Sequence, residues 1–220
     1  PWNAQTLSYY DGIDTDWVDL CTQTGVIQNY DLSMSGGSER SSYYLSARFM
    51  DHKGMVIESK FNKYTVNFNS DHKVNEWIKV GNSLVVYAEK RDGTYEGTGG
   101  VYNMALRKIP LTRAYEDNGD YGIIYNTTLE HMHANPLWMA YNDVNESSSE
   151  GLFGNLYVSI EPLKNLVFTA RGNMDYSNDY TSVFNASADP HYGWERSTSN
   201  KIEKDYDKTI HWSGDFLLDY

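Results

Sequence analysis

The sequence predicts an all-β protein, an antiparallel transmembrane β-barrel of which this chain forms about seven strands. Three observations support this fold class. Apolar and polar residues alternate with a period of two in seven segments, which is the pattern of a sheet with two different faces. These segments are about ten to thirteen residues long, which suits a tilted bilayer crossing better than the usual strand of five or six. Short turns and long loops also alternate along the chain.

Within each segment the side chains separate cleanly into two faces, because successive residues of a strand point to opposite sides. We expect the apolar face to meet lipid, and its marker residues are Leu45, Phe68, Leu84 and Phe168. We expect the polar face to line a water-filled lumen, with Arg48, Lys63, Asn67, Lys79 and Arg171 as its marker residues. The predicted strands lie near residues 23–35, 41–51, 61–73, 77–89, 151–160, 165–176 and 208–220.

The connections predict which end of each strand faces outwards. Outer-membrane barrels have short periplasmic turns and long extracellular loops, whereas a Greek-key sandwich has long connections at both ends. The short turns are predicted at 35–39, 73–76 and 161–165. The resulting organisation is an extracellular loop at 1–22, four strands over 23–89, a long extracellular loop at 90–150, two strands over 151–176, an extracellular loop at 177–207 and the start of another strand at 208–220.

The composition excludes several classes of protein. Acidic residues outnumber basic ones 30 to 18, for a formal charge of -12, which argues against nucleic-acid binding. The single cysteine, Cys21, excludes an internal disulfide framework and a cysteine-rich zinc site. Nineteen Tyr and six Trp are in excess, and such rings gather at membrane–water boundaries. No apolar run is long enough for a transmembrane helix.

The strand count predicts that the barrel continues beyond this chain. Bacterial single-chain barrels have an even number of strands, and seven strands would leave two unpaired edges in hydrocarbon. The last stretch, HWSGDFLLDY at 211–220, still alternates where the sequence stops. We therefore expect the remaining strands to lie in residues outside these 220.

Several short motifs in the first half of the chain carry a family resemblance. They are Thr15-Asp16-Trp17, then Gly25, Gln28 and Asn29, then LSMSGG at 32–37 and VNEWIKVGNSL at 74–84. In this order and spacing, over roughly residues 10–90, the sequence resembles the SusC/RagA family of TonB-dependent outer-membrane transporters. The resemblance implies a 22-stranded barrel in the Gram-negative outer membrane, with an N-terminal plug domain that is absent from this chain.

The resemblance also implies a function. Such transporters import nutrient oligomers, either oligosaccharides or peptides, together with a SusD-like surface lipoprotein, and TonB acts on them through the plug region. Outer-membrane lipid would then surround the barrel, and neither a cofactor nor nucleic acid is expected. Two alternatives remain open: a passive porin or adhesin barrel, and a soluble β-sandwich that binds glycan.

The sequence does not predict an enzyme. No Ser/His/Asp grouping, paired-carboxylate spacing or metalloprotease motif is present, so no catalytic residue and no metal site is assigned. EDNGDYG at 116–122 offers oxygen ligands for calcium, but a turn on Asn118-Gly119 explains it equally well. His131 and His133 have no identifiable third ligand.

Aromatic residues in the longest loop are the candidates for contact with cargo or partner. These are Tyr121, Tyr125, Trp138 and Tyr141. On the extracellular side their rings would stack on sugars or on peptide side chains. The alternative is that they pack the loop onto itself or onto a partner protein.

Overall fold

A computed structural model describes residues 12–94, 99–123, 134–187 and 199–220. Its main feature is one antiparallel sheet of seven strands in chain order, which confirms the predicted fold class. The strands are β1 (Val26–Gly37), β2 (Ser41–Lys53), β3 (Lys60–Lys73), β4 (Ile78–Gly93), β5 (Val144–Leu163), β6 (Leu166–Asn185) and β7 (Lys201–Asp219). The helices are α1 (Trp17–Cys21), α2 (Val101–Arg107) and α3 (Pro136–Asn142). Within the described ranges no helix has the length and apolar character to cross a membrane.

One face of the sheet carries a continuous apolar belt. Residues directly opposite each other on neighbouring strands share a face, so a cross-strand row can be followed through the register of all seven strands. One such row is Leu32, Ala47, Val66, Val86, Leu152, Tyr176 and Ile210. The row beside it is Met34, Leu45, Phe68, Leu84, Gly154, Met174 and Trp212. The apolar face predicted from the alternation is therefore present, with Leu45, Phe68 and Leu84 in a single row.

No second layer covers this belt among the residues described. Phe68 is 38% exposed and Phe168 is 40% exposed, whereas the residues of a sealed core are almost fully buried. Among the described residues, the buried apolar side chains that form a core all lie outside the strands. The β-sandwich alternative is therefore wrong, because a sandwich buries one face of each sheet against the other.

Stacked aromatic rings mark the edge of the belt nearer the long loops. The ring of Phe49 lies between those of Tyr30 and Tyr64, with centroid distances of 6.1 and 4.7 Å. The next row on the same face is polar in its first four strands, with Gln28, Asp51, Asn62 and Lys90. Amphipathic rings at such a boundary are typical of the aromatic girdles of membrane barrels.

The last three strands are longer than the sequence predicted. β5 begins at Val144 instead of 151, β6 continues to Asn185 instead of 176, and β7 begins at Lys201 instead of 208. The additional segments, such as 145–150 and 203–208, are largely polar on both faces. Alternation is lost where neither face of a strand meets an apolar environment. The period-two pattern therefore identifies only the part of each strand that lies within the belt. The connections at this end are correspondingly shorter than predicted, at 94–143 and 186–200.

The helices pack together at the long-loop end of the sheet and form what we call the helical cap: α1, α2, α3 and the residues packed on them. Its core contains Trp17 and Cys21 of α1, Val101 and Met104 of α2, and Trp138 of α3. Val56 and Ile57 from the β2–β3 loop pack against it, as does Ala186 after β6. The segment before β1 and the three connections at this end of the sheet therefore share one small hydrophobic core. A weak helical pattern at 101–109 predicted α2, whereas α1 and α3 were not predicted.

Candidate transport surface

The sheet face opposite the belt, here called the polar face, carries all five predicted polar markers. Their cross-strand partners are Thr65 for Arg48, Glu89 for Lys63, Ser46 for Asn67, Ser159 for Lys79 and Tyr157 for Arg171. These five partners are polar, whereas the second partners of Lys63 and Asn67, Met50 and Val85, are apolar. The structure thus brings these residues to one face of the sheet, and that this face lines a lumen stays a prediction.

Ion pairs neutralise most of the cations on the polar face. The Arg48 guanidinium pairs with Asp31. The Lys63 Nζ lies 2.8 Å from Glu89 Oε2, and the Lys79 Nζ lies 3.2 Å from Asp71 Oδ1. All three pairs are partly exposed, so water and salt screen them and they contribute little to stability. Their main effect is to leave the surface hydrophilic without a strong excess of positive charge.

A three-strand contact anchors the turn end of the polar face. The Tyr157 hydroxyl of β5 donates a hydrogen bond to the Asp71 carboxylate of β3. The Lys79 Nζ of β4 lies 5.7 Å from the centroid of the Tyr157 ring. Gly81, also on β4, leaves the space that the Tyr157 ring occupies, since a Cβ built there would lie 2.5 Å from its Cε1.

Amide and hydroxyl groups cover much of the rest of this face. The Asn67 Nδ2 donates to the Ser46 Oγ at 3.0 Å. The Asn173 Nδ2 donates to the Asp215 Oδ2 at 2.8 Å, and the Ser159 and Thr169 hydroxyls are 2.8 Å apart. Such a surface replaces water around polar solutes at little cost, so it suits the passage of hydrophilic molecules.

Cavities open at both ends of the polar face. At the long-loop end a cavity of about 610 Å³ is lined by His52, Phe61 and Arg91, and an adjacent one of about 190 Å³ shares Phe61 and Arg91. At the turn end a cavity of about 560 Å³ is lined by Arg40, Lys73 and Trp77. The strands between them carry the ion pairs and amides described above.

Trp17 fixes the helical cap to the chain after α2. Its indole Nε1 donates to the Ile109 carbonyl at 3.2 Å and to the Thr112 Oγ1 at 3.0 Å. The Thr15 Oγ1 donates to the Thr112 carbonyl at 2.6 Å, and the Asp16 carboxylate accepts from the Asp19 N–H at the start of α1. The Thr15-Asp16-Trp17 motif therefore has a structural role in holding two distant segments together.

Asn135 has a similar role at the start of α3. Its side-chain oxygen accepts from the backbone N–H groups of Leu137 and Trp138 at 3.0 and 3.3 Å. Its Nδ2 donates to the carbonyls of Ala114 and Gly122, both at 3.1 Å. Sequence reasoning missed this residue, although Asn followed by Pro is a recognisable helix start.

The four aromatic contact candidates have different environments. Trp138 is only 7% exposed in the cap core, which agrees with the alternative that its ring packs the loop onto itself. The Tyr121 ring stacks on Tyr115 with a centroid distance of 5.5 Å, and partial burial raises the pKa of Tyr121. Tyr141 is 54% exposed and available for contact. Tyr125 lies outside the described residues.

The other candidates from the sequence have no site geometry around them. At 116–122 the Glu116 N–H donates to the Asp120 carbonyl at 2.8 Å, and Gly119 has a φ of +89°, which is turn geometry. In the described ranges no group of three or more His, Cys, Asp and Glu side chains is placed to hold a metal. His131 and His133 fall outside those ranges.

The chain is similar to known proteins in both sequence and fold. No family model matches the chain. It is 29% identical over 219 residues to TonB-dependent receptor P3 of Formosa agariphila, an alignment covering 92% of this chain and 22% of that protein. It is 24% identical over 216 residues to TonB-dependent receptor SusC of Bacteroides thetaiotaomicron, covering 92% of this chain and 20% of that protein.

The fold matches solved structures of the RagAB peptide transporter. One match has a TM-score of 0.69 at 24% identity and covers 94% of this chain and 23% of the matched chain. Another, of RagAB in its closed-closed state, has a TM-score of 0.64 at 25% identity and covers 92% of this chain and 23% of the matched chain.

Together the belt, the polar face and these matches define the class: the chain is part of the wall of an outer-membrane β-barrel. More particularly, it is similar to a barrel segment of SusC/RagA-type TonB-dependent receptors, and it spans about a fifth of the length of the relatives it matches. Receptors of this type sit in the Gram-negative outer membrane and are transporters rather than enzymes.

Proposed function

We propose that this chain forms part of the wall and outer mouth of a TonB-coupled importer of nutrient oligomers. The observation that carries the proposal is the apolar belt, which crosses all seven strands without interruption while the opposite face is polar. A sheet with these two faces separates lipid from water. The cargo is a hydrophilic oligomer, either a glycan or a peptide, that moves along the polar face.

The short turns are proposed to face the periplasm and the long-loop end to face the outside. Two features support this orientation. β5, β6 and β7 continue beyond the belt at the long-loop end, with polar residues on both faces. The helical cap also lies at that end, whereas the opposite end has connections such as Lys164-Asn165 between β5 and β6. Long external loops with their own structure are where barrels place recognition.

The helical cap is proposed as a surface on which a SusD-like lipoprotein closes. On α2, Val101, Met104 and Ala105 face the cap core, while Tyr102 and Leu106 point outwards and Leu106 is 58% exposed. An apolar helix face outside the lipid belt is typical of a protein contact. The solved relatives are of a transporter named RagAB, and TonB would act through the plug region beyond this chain.

The partner proposal is tested by copurification from the intact outer membrane. Leu106→Asp places a charge on the outward face of α2 and is expected to reduce the amount of lipoprotein recovered with the transporter. Leu163→Asp at the turn end, where Leu163 is 66% exposed, serves as the matched control. Equal recovery of the lipoprotein with both variants would show that this face of the cap is not part of the interface.

The mechanism is gated passage, with no bond made or broken, and its energy dependence separates it from a passive porin. The test is uptake of labelled peptides and oligosaccharides by cells that carry the full-length transporter, with and without its TonB-contacting segment. Loss of uptake on deletion of that segment supports the energised importer. Unchanged uptake of the same cargo would favour the porin.

A further inference from the structure

We propose that Arg91, held against the ring of Phe61, forms a subsite for a carboxylate of the cargo at the long-loop end of the polar face. This inference rests on the proposed function, since it names the chemical class of group that the importer recognises. It assigns binding to a residue that the sequence patterns did not single out. The supporting observations are the geometry of the pair, the absence of a competing partner and the charge distribution around the cavity.

The geometry fixes the guanidinium without using its hydrogen-bond donors. Arg91 of β4 and Phe61 of β3 are direct cross-strand partners. The Arg91 Cζ lies 5.9 Å from the centroid of the Phe61 ring, within the range of a cation–π contact. A guanidinium that rests on a ring keeps its N–H groups available at its edge, where they match the two oxygens of a carboxylate.

Neighbouring cations of the polar face are already paired, whereas Arg91 is not. Lys63 pairs with Glu89 at 2.8 Å, and Arg48 pairs with Asp31. Among the residues that the structure describes, no carboxylate lies within ion-pair distance of Arg91. An incoming anion would therefore not have to displace a salt bridge.

Arg91 lines both cavities at the long-loop end, and the two differ in charge. The larger one, of about 610 Å³, is lined by two cations, Arg91 and Lys60, by one carboxylate, Asp92, and by His52. Alternation places Arg91 and His52 on the polar face. In the smaller one, of about 190 Å³, Arg91 faces Glu89 and Asp179. The larger cavity is thus the one that accepts an anion.

The remaining lining of the larger cavity supports the same chemistry. Asn145, Ser147 and Thr181 all line it from β5 and β6. Their amide and hydroxyl groups can donate further hydrogen bonds to a carboxylate oxygen that Arg91 holds. Two classes of cargo carry this group: peptides, at their C-termini and acidic side chains, and oligosaccharides that contain uronic acids.

The experiment uses the full-length transporter purified with its lipoprotein. It is incubated with four preparations: a casein digest and a polygalacturonate digest, each before and after methyl esterification of its carboxylates. Retained oligomers are quantified by mass spectrometry. The variants are Arg91→Gln and Arg91→Lys, and the matched control is Arg40→Gln, an exposed arginine at the turn between β1 and β2.

The wild type is expected to retain untreated oligomers about tenfold better than esterified ones, since a hydrogen bond to a charged group contributes about 1.5 kcal/mol or more. Arg91→Gln should lose this preference, Arg91→Lys should keep part of it, and Arg40→Gln should keep all of it. The digest that shows the preference identifies a peptide or an acidic glycan as the source of the carboxylate.

Three results would overturn the inference. An unchanged preference in Arg91→Gln would show that the carboxylate binds elsewhere. Equal retention of untreated and esterified oligomers by the wild type would leave the importer standing but without an anion subsite. If the properly inserted wild type retained none of the four preparations, the proposed function would fail together with the inference.

Discussion

The ring of Tyr157 lies directly against Gly81 on the neighbouring strand. A Cβ built on Gly81 would be 2.5 Å from the Tyr157 Cε1, so no other residue fits there without displacing the ring. Because the ring can cross β4 at this point, its hydroxyl reaches Asp71 on β3. One side chain therefore connects three strands of the polar face, and the connection depends on the missing side chain of a glycine.

This relationship predicts that Gly81→Ala destabilises the sheet. The added methyl group would force the Tyr157 ring away from Asp71, and overpacking of this kind costs about 1–3 kcal/mol. The measurement is denaturant unfolding of the full-length barrel in lipid vesicles. Gly172→Ala is the control, because a Cβ at Gly172 meets no atom within 4 Å. Equal stability of the two variants would contradict the packing described for Tyr157.

A charge in the apolar belt should be far more costly than the same charge on the polar face. Leu84 lies in a belt row that runs from Met34 to Trp212. Leu84→Arg is expected to lower the free energy of unfolding by about 2–4 kcal/mol, because the guanidinium would enter hydrocarbon. Thr65→Arg on the polar face should have a much smaller effect. The comparison is made by unfolding both full-length variants in lipid vesicles, and similar losses would contradict the assignment of faces.

The alternation of residues was enough to predict all seven strands and their two faces, because a lipid-facing row and a water-facing row impose opposite requirements on neighbouring positions. Arg48 and Lys63 were assigned to the correct face in this way. The same reasoning predicted β5, β6 and β7 to be shorter than they are in the structure. Beyond the belt, residues such as Glu150 and Lys208 lie on the belt face but are polar, so nothing in the sequence distinguishes those segments from loops.

The helical cap could not be predicted in the same way, because its helices are too short for a clear helical period. α1 has five residues, and α2 and α3 have seven each. They are stabilised by contacts between distant segments, such as the hydrogen bond from Trp17 to Thr112. Trp138 was therefore predicted as a contact residue, with packing of the loop onto itself left as the alternative. Local sequence does not show that a core forms from the segment before β1 together with three later connections.

The cap core predicts a local effect for Trp138→Ala. Removing a buried indole from a core typically costs about 3–5 kcal/mol, and the cap is separate from the sheet, so the damage should be confined to it. Limited proteolysis of the membrane-inserted transporter should show faster cleavage within 94–143 and intact strands. Tyr141→Ala, which removes a ring that is 54% exposed, is the control and should leave cleavage unchanged. Equal protection of the two variants would place Trp138 outside the core.

Cys21 is expected to be chemically inert while the cap is folded. Burial raises the pKa of its thiol to about 12, so the reactive thiolate is scarce at pH 8. Alkylation by iodoacetamide should be on the order of a thousandfold slower than for an exposed cysteine, judged from the thiolate fractions alone. Mass spectrometry of the peptide that contains Cys21 measures the rate. Rapid alkylation of the native protein would show that α1 is not packed as described.

The raised pKa of the Cys21 thiol also predicts how the stability of the cap depends on pH. The folded state holds the Cys21 proton more tightly than the unfolded state, so the stabilisation is fully present below the ordinary pKa of a thiol, about 8.5. It is lost progressively as the pH rises from there towards about 12. Proteolysis within 94–143 should accordingly become faster over this range, and Cys21→Ala should remove this component.

The most direct test of the account is the accessibility of alternate residues along β2 in the membrane. Spin labels are introduced one at a time from Tyr43 to Arg48 in a full-length protein whose native cysteines have been replaced, and collisions with oxygen and with a water-soluble nickel chelate are measured. Labels at 43, 45 and 47 should collide mainly with oxygen, which concentrates in lipid, and labels at 44, 46 and 48 mainly with the chelate. Loss of the alternation, or its reversal, would contradict a sheet whose apolar belt faces lipid and whose polar face lines a path for water-soluble cargo.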